Sequence, residues 1–407
     1  MISRNLLSDV SARQPIREAD SPILLEPKIC GASESLLRPR MPELDSLRGV
    51  AILLVLFYHG FGLTYSTGGF SRAAQLFVAA TLPGWVGVDL FFVLSGFLIT
   101  GILLDSKDRP DYYRRFYIRR ALRILPIYYA VLILLAVATR THLFVQPVPW
   151  SFLGISFLFL ANFVTIFKIS ASYGVLWSLA VEEHFYLVWP AVVRSLSKYK
   201  VAVCAAAICL VCPALRAGSF LLQRGRGWTD YGAYTWLVAD GLATGALYAL
   251  AVRGPLLKHR ASNWTLVAAA FAVSGTLAIA GAPFGMLSNQ RLLGTTLRQT
   301  ALNIFFLGVL VLILLLGTNR WKGLVCFKPL RWLGEISYGV YLIHTLVFWL
   351  VDRGLSALFP HLPPLDGHFA WIVARFCAVL TLTFAIAYAS RWHFEERFLQ
   401  LKEKLGG

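Results

Sequence analysis

Charged side chains are scarce in this chain of 407 residues: only 14% are Asp, Glu, Lys or Arg, whereas 57% are hydrophobic. A soluble domain carries about 25% charged and about 45–50% apolar residues. This shortage excludes a soluble protein of several domains, and the mean hydropathy of +0.64 points the same way. The composition therefore predicts an integral membrane protein that crosses the bilayer many times.

Acidic residues are fewer than basic ones, with 21 Asp and Glu against 38 Lys and Arg, so the net charge is +17. Such an excess is also typical of proteins that bind nucleic acid. In membrane proteins, however, Lys and Arg collect in cytoplasmic loops, and the bases of this chain are grouped between apolar runs. We therefore expect membrane lipid as a partner and no nucleic acid.

Cysteines number only six, and most lie in or beside apolar runs. The closest two, Cys209 and Cys212, are three residues apart within such a run. Cysteines in this setting are small buried hydrophobes. No other Cys or His spacing completes a metal-binding framework, so we expect neither a metal site nor a bound cofactor.

Long apolar runs dominate the chain after residue 43. Residues 1–43 are polar and lack the apolar run that a cleavable signal peptide needs, so we expect a disordered cytoplasmic tail. Ten later runs approach the length of about 20 residues that crosses a bilayer as a helix. They lie at about 48–66, 85–104, 122–139, 176–196, 201–218, 233–252, 264–281, 299–317, 334–351 and 369–389.

An eleventh apolar run, 150–167, is ambiguous, and the loop charges decide its interpretation. The loop 105–123 contains seven Lys and Arg residues, so it is expected to be cytoplasmic, as is the N-terminus. If 150–167 crossed the bilayer, the bases between residues 194 and 200 would lie outside. We therefore predict a re-entrant or interfacial segment there. The predicted fold is an all-α integral membrane protein of about ten transmembrane helices, with both ends cytoplasmic and a C-terminal tail at 399–407.

One predicted membrane helix carries two ionisable residues at a suggestive spacing, in LDSLRGVAILLVLFYH at 44–59. Arg48 and His59 are eleven residues apart, which is about three helical turns plus about 20°, so they share one face. They stand about 16 Å apart along the axis, with Arg48 at the cytoplasmic edge and His59 near mid-bilayer. A lone His on an apolar face is usually a satisfied core residue, but an intramembrane ionisable group is costly and usually functional. The spacing alone leaves both interpretations open.

Other ionisable residues fall into layers when their depths are counted from the helix ends. His344 is about ten residues into its helix, hence about 15 Å from the cytoplasmic edge, at the depth of His59. Four acidic residues from three helices lie about 6–10 Å from the outer edge. They are Asp89, Glu182, Glu183 and Asp240. Because isolated carboxylates are prohibitive in lipid, we expect these four to face one polar cavity, although hydrogen bonds between helices would explain any one of them equally well.

Three arginines, Arg119, Arg120 and Arg123, precede the third predicted membrane helix. Arg120 and Arg123 are three apart and so share one face. Planar guanidinium groups at this point suit a phosphate-rich ligand at the cytoplasmic surface. Two other interpretations stay open: the arginines only set the orientation of the helix, or they hold anionic lipid headgroups.

Five segments, in this order along the chain, resemble the membrane acyltransferase-3 family, whose members acylate sugars and lipids. They are LDSLRGVAILLVLFYH at 44–59, GVDLFFVLSGFLIT at 87–100, YIRRALRILPIYY at 117–129, WSLAVEEHFYLVWP at 177–190 and ISYGVYLIHTLV at 336–347. The resemblance covers about residues 42–398 and implies a single transmembrane acyltransferase domain at 44–398. It also implies acyl-CoA as co-substrate, because the matching arginines of the family are linked to that donor.

The chain departs from the family pattern at several positions. His184 follows the two glutamates where the family usually has Gln, and Val238 of TWLVADG stands where the family usually has Arg. The C-terminal Glu-x-Pro of the family is replaced by Glu395, Glu396 and Arg397. The first two departures bear on the acceptor more than on the reaction.

We therefore predict a membrane-bound O-acyltransferase of the cell membrane, expected in a bacterial inner membrane. It transfers a short acyl group from acyl-CoA, reached from the cytoplasm, to a hydroxyl of an envelope or secreted carbohydrate or glycolipid on the outer side. His59 is the candidate general base, since imidazole exchanges protons near neutral pH, and a covalent acyl-His intermediate is left open. Arg48, oriented by Asp45, holds donor phosphates with the arginines ahead of the third helix, and His344 is a second polar partner. The four outer carboxylates bind the acceptor.

A different class of function fits some of the same residues. A proton-coupled transporter or flippase of lipid-linked sugars also uses His and carboxylates in the membrane. Transport predicts dependence on membrane potential or a pH gradient, and no chemical change in the substrate. A structural scaffold, the third alternative, leaves the shared face of Arg48 and His59 unexplained.

Overall fold

The structure is a computed structural model that describes residues 36–38, 40–62, 69–141, 147–222, 234–359 and 368–405. Within these ranges all regular structure is helical, which confirms the predicted all-α class. The α-helices are α1 Pro42–Phe57, α2 Arg72–Thr81, α3 Gly87–Asp105, α4 Tyr112–Arg140, α5 Trp150–Phe157, α6 Leu176–Ser195, α7 Lys198–Leu222, α8 Thr235–Val238, α9 Asp240–Ala251, α10 Arg260–Gly281, α11 Leu292–Leu316, α12 Lys322–Val325, α13 Lys328–Leu358, α14 Phe369–Ala389 and α15 Glu396–Leu405. Turns of π-helix follow α1 at Tyr58–Gly62 and α14 at Ser390–Glu395.

Eight helical stretches of the described residues are long and apolar enough to cross a membrane. They are Pro42–Gly62, Arg72–Asp105, Tyr112–Arg140, Lys198–Leu222, Arg260–Phe284, Leu292–Leu316, Lys322–Leu358 and Phe369–Leu401. The two other predicted spans are helical too, but Glu182, Glu183 and His184 make α6 more polar, and α8 and α9 are short. These stretches indicate a multi-pass membrane protein, whereas the count of ten crossings stays a prediction.

Several predicted boundaries differ from the structure. The first helix begins at Pro42 rather than near residue 48, because Pro is pre-organised for a first turn, and Glu43 and Asp45 face the positive end of its dipole. In the ambiguous run, α5 has only eight residues, about 12 Å of helix, which is too short to cross a core of about 30 Å. The predicted C-terminal tail is helical through Leu405.

Two predicted segments lie mostly outside the described residues. Of the expected disordered tail 1–43, only 36–38 and 40–43 are described. The Pro-rich sequence HLPPLDGH at 361–368 predicts an external loop, and of this stretch His368 alone is described.

Close packing at glycines brings the first membrane helix against α13. Any Cβ at Gly49 would collide with the backbone of Leu330, and one at Gly334 would collide with the backbone of Asp45. Small residues of this kind let membrane helices approach closely. The two helices run side by side in the same direction, so residues near the ends of their shared path also meet.

Close packing at glycines also joins α3 to α9. The backbone of Leu242 lies directly over Gly96, and that of Val93 lies directly over Gly245. Gly96 is therefore a packing residue, as expected for small residues in membrane helices. This contact fixes the rotation of α3 and turns Ser95 toward α6.

Candidate active site

Two histidine rings meet where α1 and α13 run side by side. His59 lies in the π-helical turn after α1, and His344 lies on α13; their ring centroids are 4.8 Å apart at an interplanar angle of 72°. His344 is fully buried, whereas His59 is half-buried. The structure thus brings the two predicted histidines into contact. Single π-helical turns inside helices are frequent at functional sites.

Hydrogen bonds determine which nitrogen of each ring carries the proton. Nδ1 of His59 lies 2.9 Å from the carbonyl oxygen of Val55, and Nδ1 of His344 lies 2.7 Å from that of Tyr341. A carbonyl can only accept, so Nδ1 is the protonated nitrogen in both neutral rings. Nε2 of each ring then keeps its lone pair. Nε2 of His344 is buried and has no hydrogen-bond partner among the described residues, so the accessible lone pair is that of His59.

A cavity of about 100 Å³ opens between α1, α3, α4, α6 and α13. Its polar lining comprises Arg48, Ser95, Arg120, Arg123, Ser178, Glu182, Tyr186, Ser337, Tyr338 and Tyr341. Since one water needs about 10–15 Å³, the cavity has room for several waters or a short acyl group. Three guanidinium groups and one carboxylate face this first cavity, so its net charge is positive, and we call it the arginine-lined cavity. Arg48 forms the predicted ion pair with Asp45, at 2.9 Å.

A second cavity, of about 170 Å³, shares Arg120 and Arg123 with the first. Arg119 lines it together with Ile102, Ser106, Tyr112, Arg115 and Phe116. The four predicted donor-binding arginines therefore surround two adjoining cavities. In the loop before α4, a hydrogen bond of 2.9 Å from Arg109 holds the pKa of the Asp111 carboxyl below its usual value. That carboxylate is ionised at neutral pH and lies beside Arg115.

Tyr341 connects the first cavity to the histidine pair. Its hydroxyl lies 2.6 Å from Oγ of Ser178, and its ring centroid is 5.8 Å from that of His344. Sequence reasoning missed Tyr341 and Tyr338, although Tyr338, Tyr341 and His344 are spaced three apart and therefore share one face of α13.

The four outer carboxylates do not face one cavity, which corrects that expectation. Glu182 belongs to the arginine-lined cavity and accepts hydrogen bonds from Oγ of Ser95 at 2.7 Å and the hydroxyl of Tyr186 at 3.0 Å. Asp89 accepts from Gln299, while its Oδ2 is buried and has no partner among the described residues. The reason is geometric, because equal depth does not imply that side chains on different helices point toward each other.

Glu183 and Asp240 have further, separate surroundings. Glu183 directly follows Glu182 and so projects about 100° away from it around α6. Asp240 forms a buried ion pair with Arg216 of α7, and both side chains are only 1% exposed. Sequence reasoning missed Arg216, although an arginine within the apolar run 201–218 is a signal in itself, since such residues usually pair inside the bundle.

Comparison with known proteins identifies the family. The family model of the acyltransferase domain Acyl_transf_3 matches residues 41–391. The chain belongs to the acyltransferase-3 family. This confirms the predicted relationship and the predicted class, a membrane-bound O-acyltransferase domain.

The names of two similar proteins state the acceptor that they acetylate. The peptidoglycan O-acetyltransferase OatA of Listeria monocytogenes is 28% identical over 350 residues, which cover 80% of this chain and 52% of that protein. The putative peptidoglycan O-acetyltransferase YrhL of Bacillus subtilis is 31% identical over 335 residues, 75% of this chain and 48% of that protein. The chain thus spans about half the length of these curated relatives. No solved structure matches it.

The structure also explains how one departure from the acyltransferase-3 pattern is compensated. Val238 occupies the position where the family usually has an arginine, two residues before Asp240. Here the guanidinium that neutralises Asp240 comes instead from Arg216, 24 residues earlier, on another helix. The carboxylate therefore keeps a cationic partner despite the substitution.

Proposed function

We propose that this protein transfers a short acyl group from acyl-CoA to a hydroxyl of a cell-envelope glycan. The observation that carries the proposal is the contact between His59 and His344 beside a cavity lined by three arginines. The names of two relatives, peptidoglycan O-acetyltransferases, support an acetyl group and a peptidoglycan acceptor.

In the proposed reaction His59 is the general base. Its Nε2 lone pair accepts the proton of the acceptor hydroxyl while that oxygen attacks the thioester carbonyl. The new C–O bond forms, the C–S bond breaks, and the imidazolium returns its proton to the departing thiolate of CoA. His344 is fully buried, so it acts through His59, holding that ring by edge contact and lying beside the positive charge as it forms.

The arginines of the two adjoining cavities bind the donor in this proposal. Guanidinium groups bind phosphate oxygens through paired hydrogen bonds, and Arg115, Arg119, Arg120 and Arg123 are arranged along the path from the second cavity to the first. The pantetheine arm then follows the first cavity toward Tyr341. At about 100 Å³ the first cavity is too small for the nucleotide, so only the thioester end of the donor enters it, while the phosphates stay at the arginines that line both cavities.

Acceptor contacts are proposed for Asp89 and Glu183, whose carboxylates form no ion pair within the described part of the chain. Each carboxylate oxygen accepts a sugar hydroxyl. Arg216 neutralises Asp240, so we assign Asp240 a positioning role. Glu182 lies among the proposed donor-binding arginines, so we do not assign it to the acceptor.

We further propose about ten crossings with both ends in the cytoplasm of a bacterium, donor entry from inside and acceptor entry from outside. The basic loop before α4 supports this orientation, because cytoplasmic loops carry most Lys and Arg. The helices α6 and α8–α9 would then be the two crossings that are too polar or too short to be recognised by hydropathy alone.

The test uses vesicles of known orientation that contain the purified protein. Acetyl-CoA is supplied on the cytoplasmic face, a peptidoglycan fragment is supplied on the other, and mass spectrometry detects the ester. We expect product from the wild type, a loss of at least about 10² in rate for His59→Ala, and little change for the control His259→Ala. The wild-type rate should fall on acidification, because protonation of Nε2 removes the lone pair.

Two outcomes contradict this proposal. Near-normal turnover by His59→Ala removes that residue from the mechanism. Movement of the glycan across the membrane without a new ester supports the transporter instead.

A further inference from the structure

A cluster of aromatic rings lies outside the arginine-lined cavity, where the 159–168 segment meets α6 and α8. The ring of Phe163 is nearly parallel to that of His184, at a centroid distance of 5.4 Å and an angle of 12°. It is also nearly parallel to Trp236, at 5.4 Å and 19°. We name Phe163, His184 and Trp236 the aromatic platform. Trp236 also stacks on Tyr234, at 4.9 Å and 28°, and it remains 44% exposed, so the platform offers an exposed aromatic surface.

Polar groups lie directly beside the aromatic platform. Oγ1 of Thr235 accepts a hydrogen bond of 3.0 Å from Nδ2 of Asn162 and lies 2.7 Å from Nδ1 of His184. Asn162 is only 1% exposed, and its Oδ1 has no hydrogen-bond partner among the described residues. An unpaired buried carbonyl of this kind is unfavourable unless a ligand or water pairs with it.

The segment that carries Phe163 is held in a strained conformation. Phe159 has a φ of 57°, which is uncommon for a bulky residue, and its ring stacks on Tyr128 at 4.2 Å. Strain of this type persists only where the surroundings enforce it, and it is concentrated at functional sites. The packing thus fixes Phe163 and Asn162 in place.

An exposed aromatic surface next to hydrogen-bonding groups suits a carbohydrate. A sugar ring has apolar C–H faces that pack on aromatic rings, and its edge carries hydroxyls that donate and accept hydrogen bonds. Aromatic residues also anchor membrane proteins at the lipid–water interface. Simple anchoring, however, requires neither near-parallel rings nor a histidine that contacts Thr235 beside a buried Asn.

The location of the platform determines which sugar it holds. His184 is two residues beyond Glu182, about 200° around α6, so the platform and the arginine-lined cavity lie on opposite sides of this helix. A helix with its side chains is about 10 Å across. A sugar on the platform therefore cannot be the one that reacts at His59.

We propose that the aromatic platform of Phe163, His184 and Trp236 is a remote binding subsite for a glycan chain. It holds a sugar several units away from the one that is acylated. This inference rests on the proposed function for the identity of the glycan, but binding to the platform can be measured without any reaction.

The first experiment measures binding in the absence of CoA. A tetrasaccharide and a disaccharide, both fragments of peptidoglycan, are added to the purified protein in detergent, and saturation-transfer NMR reports their contact. We expect the tetrasaccharide to bind the wild type and to bind Trp236→Ala about tenfold more weakly, the loss expected for one stacked ring. Trp371→Ala is the matched control, because Trp371 is exposed to a similar degree, 40%, and we expect unchanged binding. Trp236→Phe should restore most of the affinity.

The second experiment measures acyl transfer with both fragments. Trp236→Ala should raise the KM of the tetrasaccharide about tenfold, with kcat, the KM of the donor and the KM of the disaccharide unchanged. Equal tetrasaccharide binding by the wild type and Trp236→Ala, an equal loss in Trp371→Ala, or no binding by the wild type overturns the subsite. If no ester forms while Trp236→Ala still loses binding, the subsite stands and the proposed reaction fails.

Discussion

The buried ion pair between Arg216 and Asp240 should dominate the stability of the region where α7, α9 and α11 meet. Arg216 donates to both oxygens of Asp240, at 3.1 and 2.9 Å, to the carbonyl of Leu237 at 2.6 Å and to Oγ1 of Thr300 at 2.6 Å. Both charged side chains are 1% exposed, so no water can replace a lost partner. The pair joins α7, α9 and α11.

Removing one partner should therefore be far more harmful than removing both. Arg216→Met leaves the Asp240 carboxylate buried without a counter-charge, which costs about 3–5 kcal/mol. The double variant Arg216→Met with Asp240→Asn contains no buried charge, and Thr300 can still donate to the amide oxygen. Neutral replacements of buried pairs are often tolerated, so this double variant should be more stable than Arg216→Met alone.

The control is the ion pair of Arg253 and Asp105, which has the same two-bond geometry at 2.8 and 2.7 Å. Its carboxylate is 62% exposed, so Arg253→Met should cost at most about 1 kcal/mol. Unfolding midpoints of the purified variants in one detergent give the comparison. If Arg216→Met is no less stable than Arg253→Met, or if the second substitution lowers stability further, the ion pair does not have this role.

Two further predictions concern the donor site, and calorimetry with CoA tests both. Arg123→Ala should weaken CoA binding, and Arg123→Lys should restore it only in part because the planar fork is lost. High salt should weaken CoA binding by the wild type. Equal CoA affinities of the wild type and Arg123→Ala would leave Arg123 with a role in topology alone. Glu182→Gln should tighten CoA binding about fivefold, the effect of removing about 1 kcal/mol of like-charge repulsion. The control Asp89→Asn should leave CoA binding unchanged. If Asp89→Asn tightens CoA binding and Glu182→Gln does not, Glu182 belongs to the acceptor side.

The helical class and the course of most membrane segments could be predicted, because apolar runs of bilayer length have few other stable structures. The level of His59 and His344 could also be predicted, since depth follows from the rise per residue. The contact between their rings could not. It depends on Gly49 and Gly334, which let two backbones touch, and on a π-helical turn that changes the direction of His59.

The pairing of the carboxylates could not be predicted for a related reason. Depth gives one coordinate of a side chain, whereas the helix rotation and the neighbouring helices set the other two. Asp240 and Arg216 are 24 residues apart with a chain reversal between them, so no local pattern joins them. The similar depths of Asp89, Glu182, Glu183 and Asp240 led to one expected cavity where the structure has separate environments.

Glu182 places a negative charge among the arginines of the proposed donor site, so this site would both attract and repel phosphate groups. Arg48, Arg120 and Arg123 alone would hold the CoA product as tightly as the acyl-CoA substrate, because both carry the same phosphates. A carboxylate fixed by Ser95 and Tyr186 in the same cavity repels the phosphates equally before and after transfer, so it lowers the affinity for free CoA. In an enzyme whose product keeps every phosphate of the donor, this repulsion favours product release, which commonly limits turnover. We infer that Glu182 serves the release of CoA, and this role agrees with its place among the arginines better than contact with an acceptor sugar does.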